Sequence, residues 1–309
     1  MPRRFLPALV ALLTCACGGR AQHGGNGPIR VLPVAANIWL LTGEGGNMVL
    51  AVGDDATLLV DAGYAREAPA LAAAIRTLTP RPVRYLLDTH WHADHTGGNA
   101  ALAAAGAVIV AQDNTRRRLA VEQVTRGQHF PPPPPAARPG IGFRDALTFH
   151  LGGSDAVVSW AGPAHTDGDV IVFWKRANVI HTGDLTCYYA YPYFDEDSGA
   201  DIAGMVAAVD RIVALTDEHT RIIGGHGPLA TRADLLEYRD MLKGIVQGVS
   251  TQLAAGRSVA QIIASRPTAP YDARWARPGT MPPDTLVALI YRSLRAHPRN
   301  GPRETQESL

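Results

Sequence analysis

From Ile38 the chain breaks into short apolar runs, Ile38 to Thr42, Met48 to Val52 and Thr57 to Asp61, punctuated by Gly43, Gly45-Gly46 and Gly53-Asp54-Asp55. Short apolar runs bounded by turn residues predict an antiparallel meander. An alanine-rich helix is expected from about Ala65 to Thr79, closed by Pro80 and Pro82, and a strand from Val83 to Asp88. Gly97-Gly98-Asn99 opens a further helix to about Ala105, Ala107 to Ala111 reads as a strand, and Asp113 caps a helix expected to run to about Thr125. Pro131 to Pro135 admits neither helix nor central strand and reads as a rigid surface linker.

A second strand-rich block is expected over Ile141 to Leu185, with strands at Ala156 to Trp160, Asp169 to Lys175 and Val179 to Thr182. Helices follow at Ile202 to Leu215, Arg232 to Leu253, Val259 to Ser265 and Pro283 to Arg295. Two blocks of strands, each followed by helices, predict two sheets packed face to face with helices outside. No repeat of short fixed period is present.

The 309 residues, 46% of them hydrophobic, suffice for a sizeable core. With 29 basic against 28 acidic residues the formal net charge is +1, so no strong field favours nucleic acid or an anionic membrane. Residues 1–21 read as an export signal: basic Arg3-Arg4, an apolar stretch from Phe5 to Thr14, then small residues. This predicts an exported protein, either free in the periplasm after cleavage near Ala21 or tethered to the membrane through a lipid on Cys15 or Cys17. Cys187 is then the remaining cysteine, which excludes a disulfide framework.

The candidate chemistry lies in Thr89-His90-Trp91-His92-Ala93-Asp94-His95. His90 and His92 stand two apart on an extended segment, so they project to the same side and can share one metal ion. Asp94 and His95 follow on the turn and can reach a second. Imidazole and carboxylate without thiolate suit zinc or another divalent transition metal. A surface cluster that binds metal adventitiously is the competing reading. His165, in Gly162-Pro163-Ala164-His165-Thr166-Asp167-Gly168-Asp169, has the same character, as do Asp184, in His181-Thr182-Gly183-Asp184, and His226, in Gly224-Gly225-His226-Gly227-Pro228. Each alone is an ordinary loop residue.

The order His-x-His-x-Asp-His, a lone His, a Gly-Asp pair and a Gly-His-Gly resembles the metallo-β-lactamase superfamily, over about Ile38 to Pro228. The resemblance implies an α/β fold, an αββα sandwich with a two-metal site at one edge of the sheets, in a catalytic domain over 30–254 with a C-terminal helical extension over 255–309. It implies two zinc ions, the first held by His90, His92 and His165 and the second by Asp94, His95 and His226, with Asp184 bridging them or completing the second site. Asp94 would orient the nucleophile and relay a proton. Asp61 matches a family aspartate that supports the metal-holding loop, although a turn residue capping a strand is also consistent with its context.

The implied function is hydrolysis of an ester, thioester, lactone or amide bond in a small-molecule substrate by a metal-bound hydroxide. Thr96-Gly97-Gly98-Asn99 and the stretch Gly162 to Trp174 lean toward a true β-lactamase; Asp184, followed by Cys187 rather than a metal-binding cysteine and lysine, leans toward esters, thioesters and lactones. A non-catalytic exported metal-binding protein is the alternative of another class, and a nuclease is disfavoured because no basic groove is evident. Trp91 and the aromatic run after Asp184, with Tyr188, Tyr191 and Tyr193, are candidates for the substrate pocket, or else pack beneath a loop.

Overall fold

The fold was described from a computed structural model, which covers residues 27–297. The predicted export signal, with Cys15 and Cys17, lies outside the described residues. Within them, no helix is long and apolar enough to cross a membrane.

The N-terminal half opens with strands β1 (Arg30–Ala35), β2 (Ile38–Thr42), β3 (Met48–Val52) and β4 (Thr57–Val60), then helix α1 (Ala68–Leu78) and strand β5 (Tyr85–Asp88). Two short helices, α2 (Ala93–Thr96) and α3 (Asn99–Ala104), precede β6 (Val108–Gln112), α4 (Asp113–Leu119), a hairpin of β7 (Gln123–Thr125) and β8 (Gln128–Phe130), and β9 (Ile141–Phe143). The second half runs through β10 (Ala146–Phe149), β11 (Ala156–Trp160), β12 (Val170–Trp174), β13 (Val179–His181), α5 (Ile202–Leu215) and β14 (Arg221–Ile223). It ends in α6 (Arg232–Ala254), α7 (Val259–Ala264), α8 (Asp272–Trp275) and α9 (Pro283–Ala296).

Seven strands form one sheet in the order β1-β2-β3-β4-β5-β6-β9, and five form the other, β10-β11-β12-β13-β14. The first is antiparallel up to β4 and parallel beyond it; in the second only β13 and β14 are parallel. Alternation along each strand builds three cores at once. Ile38, Leu40, Val49, Leu58, Val60 and Val110 point between the sheets, where they meet Val158, Val170, Val172 and Ile223. Their neighbours Leu41, Met48, Leu50, Leu59 and Ile109 point outward onto α1 and α3. Ile171, Ile180 and Ile222, on the outer face of the second sheet, pack against α5, α6 and α9. Because successive side chains leave a strand on opposite faces, strands covered on both faces need apolar residues at nearly every position. This is the expected αββα sandwich.

Three expectations are corrected. The helix opening at Asp113 ends at Leu119 rather than near Thr125, and Gln112, not Asp113, caps it by accepting from Asn114 N–H. Gln123 to Phe130 instead turns back as the β7–β8 hairpin, because Arg126-Gly127 adopts positive φ at both positions. Strand β9 joins the first sheet beside β6, so the second block of strands begins at β10. Finally, β1 was missed: its residues are largely apolar, but Pro33 interrupts the run, as an edge strand tolerates, and its first four positions are exposed. Residues 259–290 contribute Ile262, Trp275, Leu286 and Ile290 to the same core as α5 and α6.

Candidate metal centre

Strand ends deliver every candidate ligand to one edge of the sandwich. The parallel strands β4 and β5 lead into Asp61 and into the segment His90 to His95, while the parallel pair β13 and β14 leads into Asp184 and His226. Carboxyl ends of adjacent parallel strands open onto a common crevice, so residues distant in sequence converge there. His165 comes from the loop between β11 and β12, which Asp169 folds by accepting from the Thr166 N–H and hydroxyl at 2.7 Å each.

Two donor groups result. His90, His92, His165 and Asp184 offer atoms that lie within 4.8 Å of one another, as do those of Asp94, His95 and His226. His92 Nδ1 is 3.1 Å from both His90 Nε2 and His165 Nε2. The far side of each ring is already engaged. His165 Nδ1–H donates to the Tyr193 carbonyl at 2.8 Å, and His92 Nε2–H donates to Asp195 Oδ2 at 3.0 Å. His90 Nδ1–H donates to the Thr89 hydroxyl at 3.1 Å, which itself donates to Asp61 Oδ2 at 2.8 Å. Outer hydrogen bonds fix the tautomers, so three imidazole lone pairs face one point. Lone pairs at this separation repel unless a cation lies between them.

In the second group, His95 Nδ1–H donates to Asp61 Oδ2 at 2.7 Å, turning Nε2 toward Asp184 Oδ1 at 3.1 Å and Asp94 Oδ2 at 3.6 Å. His226 Nε2 is 3.1 Å from Asp94 Oδ2 and 3.5 Å from Asp184 Oδ2. Asp184 thus stands between the groups, with its Oδ2 also 3.5 Å from His165 Nε2. Both of its oxygens face imidazole nitrogens and neither is taken by a backbone or hydroxyl donor, the condition of a ligand carboxylate rather than of a structural one. The donor set therefore fits divalent metal.

Electrostatics divide the two groups. Burial, then the neighbouring His95, hold His90 well below the ordinary imidazole range, and burial brings His165 down to about 4 despite Asp184. Both are neutral at pH 7, as a metal donor must be. Burial also opposes charge on His95 and His226, but Asp184 and Asp94 outweigh it; His95 is raised well above its ordinary value and His226 to about 10. Burial would raise Asp94 and Asp184, yet the surrounding histidines hold both below the carboxylate range. Without metal, protons on His95 and His226 balance the two carboxylates.

Close backbone approach makes the site compact. A Cβ on Gly46 would overlap the His95 ring, and one on Gly225 would overlap Asp184 Oδ1. Asp61 is fully buried at φ +61° and accepts from Thr89 N–H, the Thr89 hydroxyl and His95. It ties β4 to the ligand loop, which is more than capping a strand.

A cleft of about 860 Å³ opens over the centre. Trp91 and Tyr193 line it, and so does Tyr191, whose hydroxyl is taken by the Thr268 carbonyl and Asp272. Tyr188 does not. Its ring lies 5.9 Å from that of Tyr238 in the helical core, and Tyr189 takes the place in the cleft expected of it. Cys187 also lines the cleft, with burial pushing its thiol up to about 12, so it is no nucleophile. Asp195 went unrecognised, although it sits in the same aromatic run. An acid following four tyrosines was the signal. Asn47, whose amide donates to the carbonyls of Gly224 and Gly227 at 2.9 Å each, carried no such signal.

Residues 41–237 match the sequence profile of the metallo-β-lactamase superfamily. The chain belongs to the metallo-β-lactamase superfamily. Among solved structures, a metallo-β-lactamase from Pontibacter korlensis superposes with a TM-score of 0.58 at 20% identity, covering 70% of this chain and 99% of that one. A Cronobacter sakazakii metallo-β-lactamase with a HARLDQ motif gives 0.60 at 22% identity, over 75% of this chain and 96% of its own. The mono-zinc form of FIM-1 from Pseudomonas aeruginosa gives 0.56 at 21%, over 70% and 95%. At such identities the superfamily member shares their fold. No curated protein matches it by sequence.

Proposed function

We propose that this superfamily member is a dinuclear zinc hydrolase that cleaves an ester, thioester, lactone or amide bond in a small molecule. The position of Asp184, within 3.5 Å of donors in both groups, carries this reading, because a carboxylate shared between two donor sets suits a pair of ions. His90, His92 and His165 would hold one ion and Asp94, His95 and His226 the other. Zinc there supplies Lewis acidity and a water acidic enough to ionise near neutral pH.

The chain's own groups account for the rest. Asp94 lines the cleft and is ionised, so the oxygen not given to an ion can accept a proton from water and return it to a leaving group. Asp195 and the Tyr193 carbonyl hold His92 and His165 in orientation. The cleft is large enough for a drug-sized molecule and is walled by aromatic rings.

Zinc content and turnover of the purified protein test the reading, using a β-lactam, a homoserine lactone and a glutathione thioester. Two equivalents of zinc with turnover of one class is expected. Stoichiometric zinc with no turnover of any of them would leave a metal-binding protein instead. Turnover of the β-lactam alone would make it a true β-lactamase.

A further inference from the structure

We infer that Arg126 binds a carboxylate of the substrate, so that the hydrolysed molecule carries an anionic group remote from its scissile bond. The inference depends on the proposed hydrolase only for where that bond sits. Arg126 and Gly127 form the two-residue turn of the β7–β8 hairpin, Thr125 pairing with Gln128, with φ at +51° and +70°. Such turns favour asparagine or glycine at the first position, because a Cβ is crowded there. An arginine in this conformation is unfavourable for the turn itself, and what it gains is the direction of its side chain.

That direction is into the cleft. The guanidinium carbon lies 3.4 Å from the centre of the Tyr193 ring, and Tyr193 in turn stacks on His92 at 28° and 6.3 Å. The cation is thus separated from the donor cluster by one aromatic layer. Its height over the centre is fixed, because the Thr125 hydroxyl donates to Asp195 Oδ1 at 2.7 Å, and the other oxygen of Asp195 holds His92.

The charges around it are distributed unevenly. Arg292, on the opposite wall, has its guanidinium occupied by Glu196 through contacts of 2.8 to 3.1 Å. Arg126 forms no ion pair among the described residues; Asp197 accepts only its backbone N–H, at 3.4 Å, and Asp195 is engaged by Thr125, Ser198 and His92. Stacking on Tyr193 covers the face of the guanidinium, and no carboxylate among the described residues pairs with it, which leaves it to match a planar carboxylate.

The alternative is that Arg126 merely staples the hairpin to Tyr193. Calorimetric titration of the zinc-loaded protein with glutaramate and with glutaramide separates the two, since these probes differ by one negative charge at nearly equal shape. The wild-type protein is expected to bind the anion about tenfold more tightly. R126G, in which glycine suits the turn, is expected to lose that preference while keeping its melting temperature, and R126K to keep part of it. Equal binding of both probes by the wild type, or an undiminished preference in R126G, would overturn the assignment. Absence of turnover of the β-lactam, the homoserine lactone and the glutathione thioester by the wild type would count against the hydrolase reading alone, because the probe comparison is read without catalysis.

Discussion

The floor of the cleft and its walls are built on opposite plans. On the floor, His90, His95 and His165 are buried, and each of His90, His92, His95 and His165 is held from behind by a named oxygen. The walls come from the β7–β8 hairpin, the loop from Cys187 to Asp197, and the segment from Gly279 to Arg292, where Tyr189 is 44% exposed and Arg126 is at the surface. The difference separates chemistry from selectivity. Metal donors must be held within fractions of an ångström and so sit at the ends of core strands, whereas walls can vary on the rim without disturbing them.

The most severe way to break the contrast is Asp184→Ala, which removes the one carboxylate common to both donor groups. It is expected to lose at least one metal equivalent by atomic spectroscopy and all measurable turnover. Retention of two metals at full rate would show the assignment to be wrong. Metal uptake by the native chain should also release protons at pH 7, because His226, with its value raised to about 10, is protonated until an ion takes its lone pair. Affinity should therefore fall as pH falls, measured by titration in buffers of different ionisation enthalpy.

Next in size is Ile290→Ala in α9, fully buried in the core shared by α5 and α6. Denaturant unfolding should show a loss of about 2–5 kcal/mol. A loss below about 0.5 kcal/mol would mean that the wall-forming C-terminal helix is loosely attached. Asp195→Asn sharpens the floor: with the acceptor behind His92 weakened, metal affinity by chelator competition should drop roughly 10- to 100-fold. The smallest effects lie in the aromatic run. Tyr189→Ala should raise KM about 2- to 12-fold with kcat little changed. Tyr188→Phe, which deletes a buried hydroxyl without a hydrogen-bond partner, should leave KM unchanged and be neutral or stabilising by up to about 1 kcal/mol.

How much of this was legible follows the same division. His90, His92, Asp94 and His95 declare themselves because strand-then-turn geometry puts neighbours in sequence beside one another in space. His165, Asp184 and His226 became legible only as an ordered set that resembles the superfamily. Asp195 and Arg126 were hidden. One lies among tyrosines that drew attention to their rings, and the other just beyond the expected end of a helix, where no hairpin was foreseen to aim its side chain.

Continuous apolar runs by themselves determined the two covered sheets, since burial on both faces leaves a mark at every residue. The histidine motif likewise determined that the site suits a divalent metal, because the chemistry of the donors is carried by residue type. Tertiary structure alone decided that Asp184 stands between two donor groups, that Asp61 and Asp195 orient the imidazoles, and that Tyr189 rather than Tyr188 lines the cleft. These depend on distances and directions between segments far apart in the chain, which are set by how the strands pair and the sheets pack and leave no local trace in the sequence.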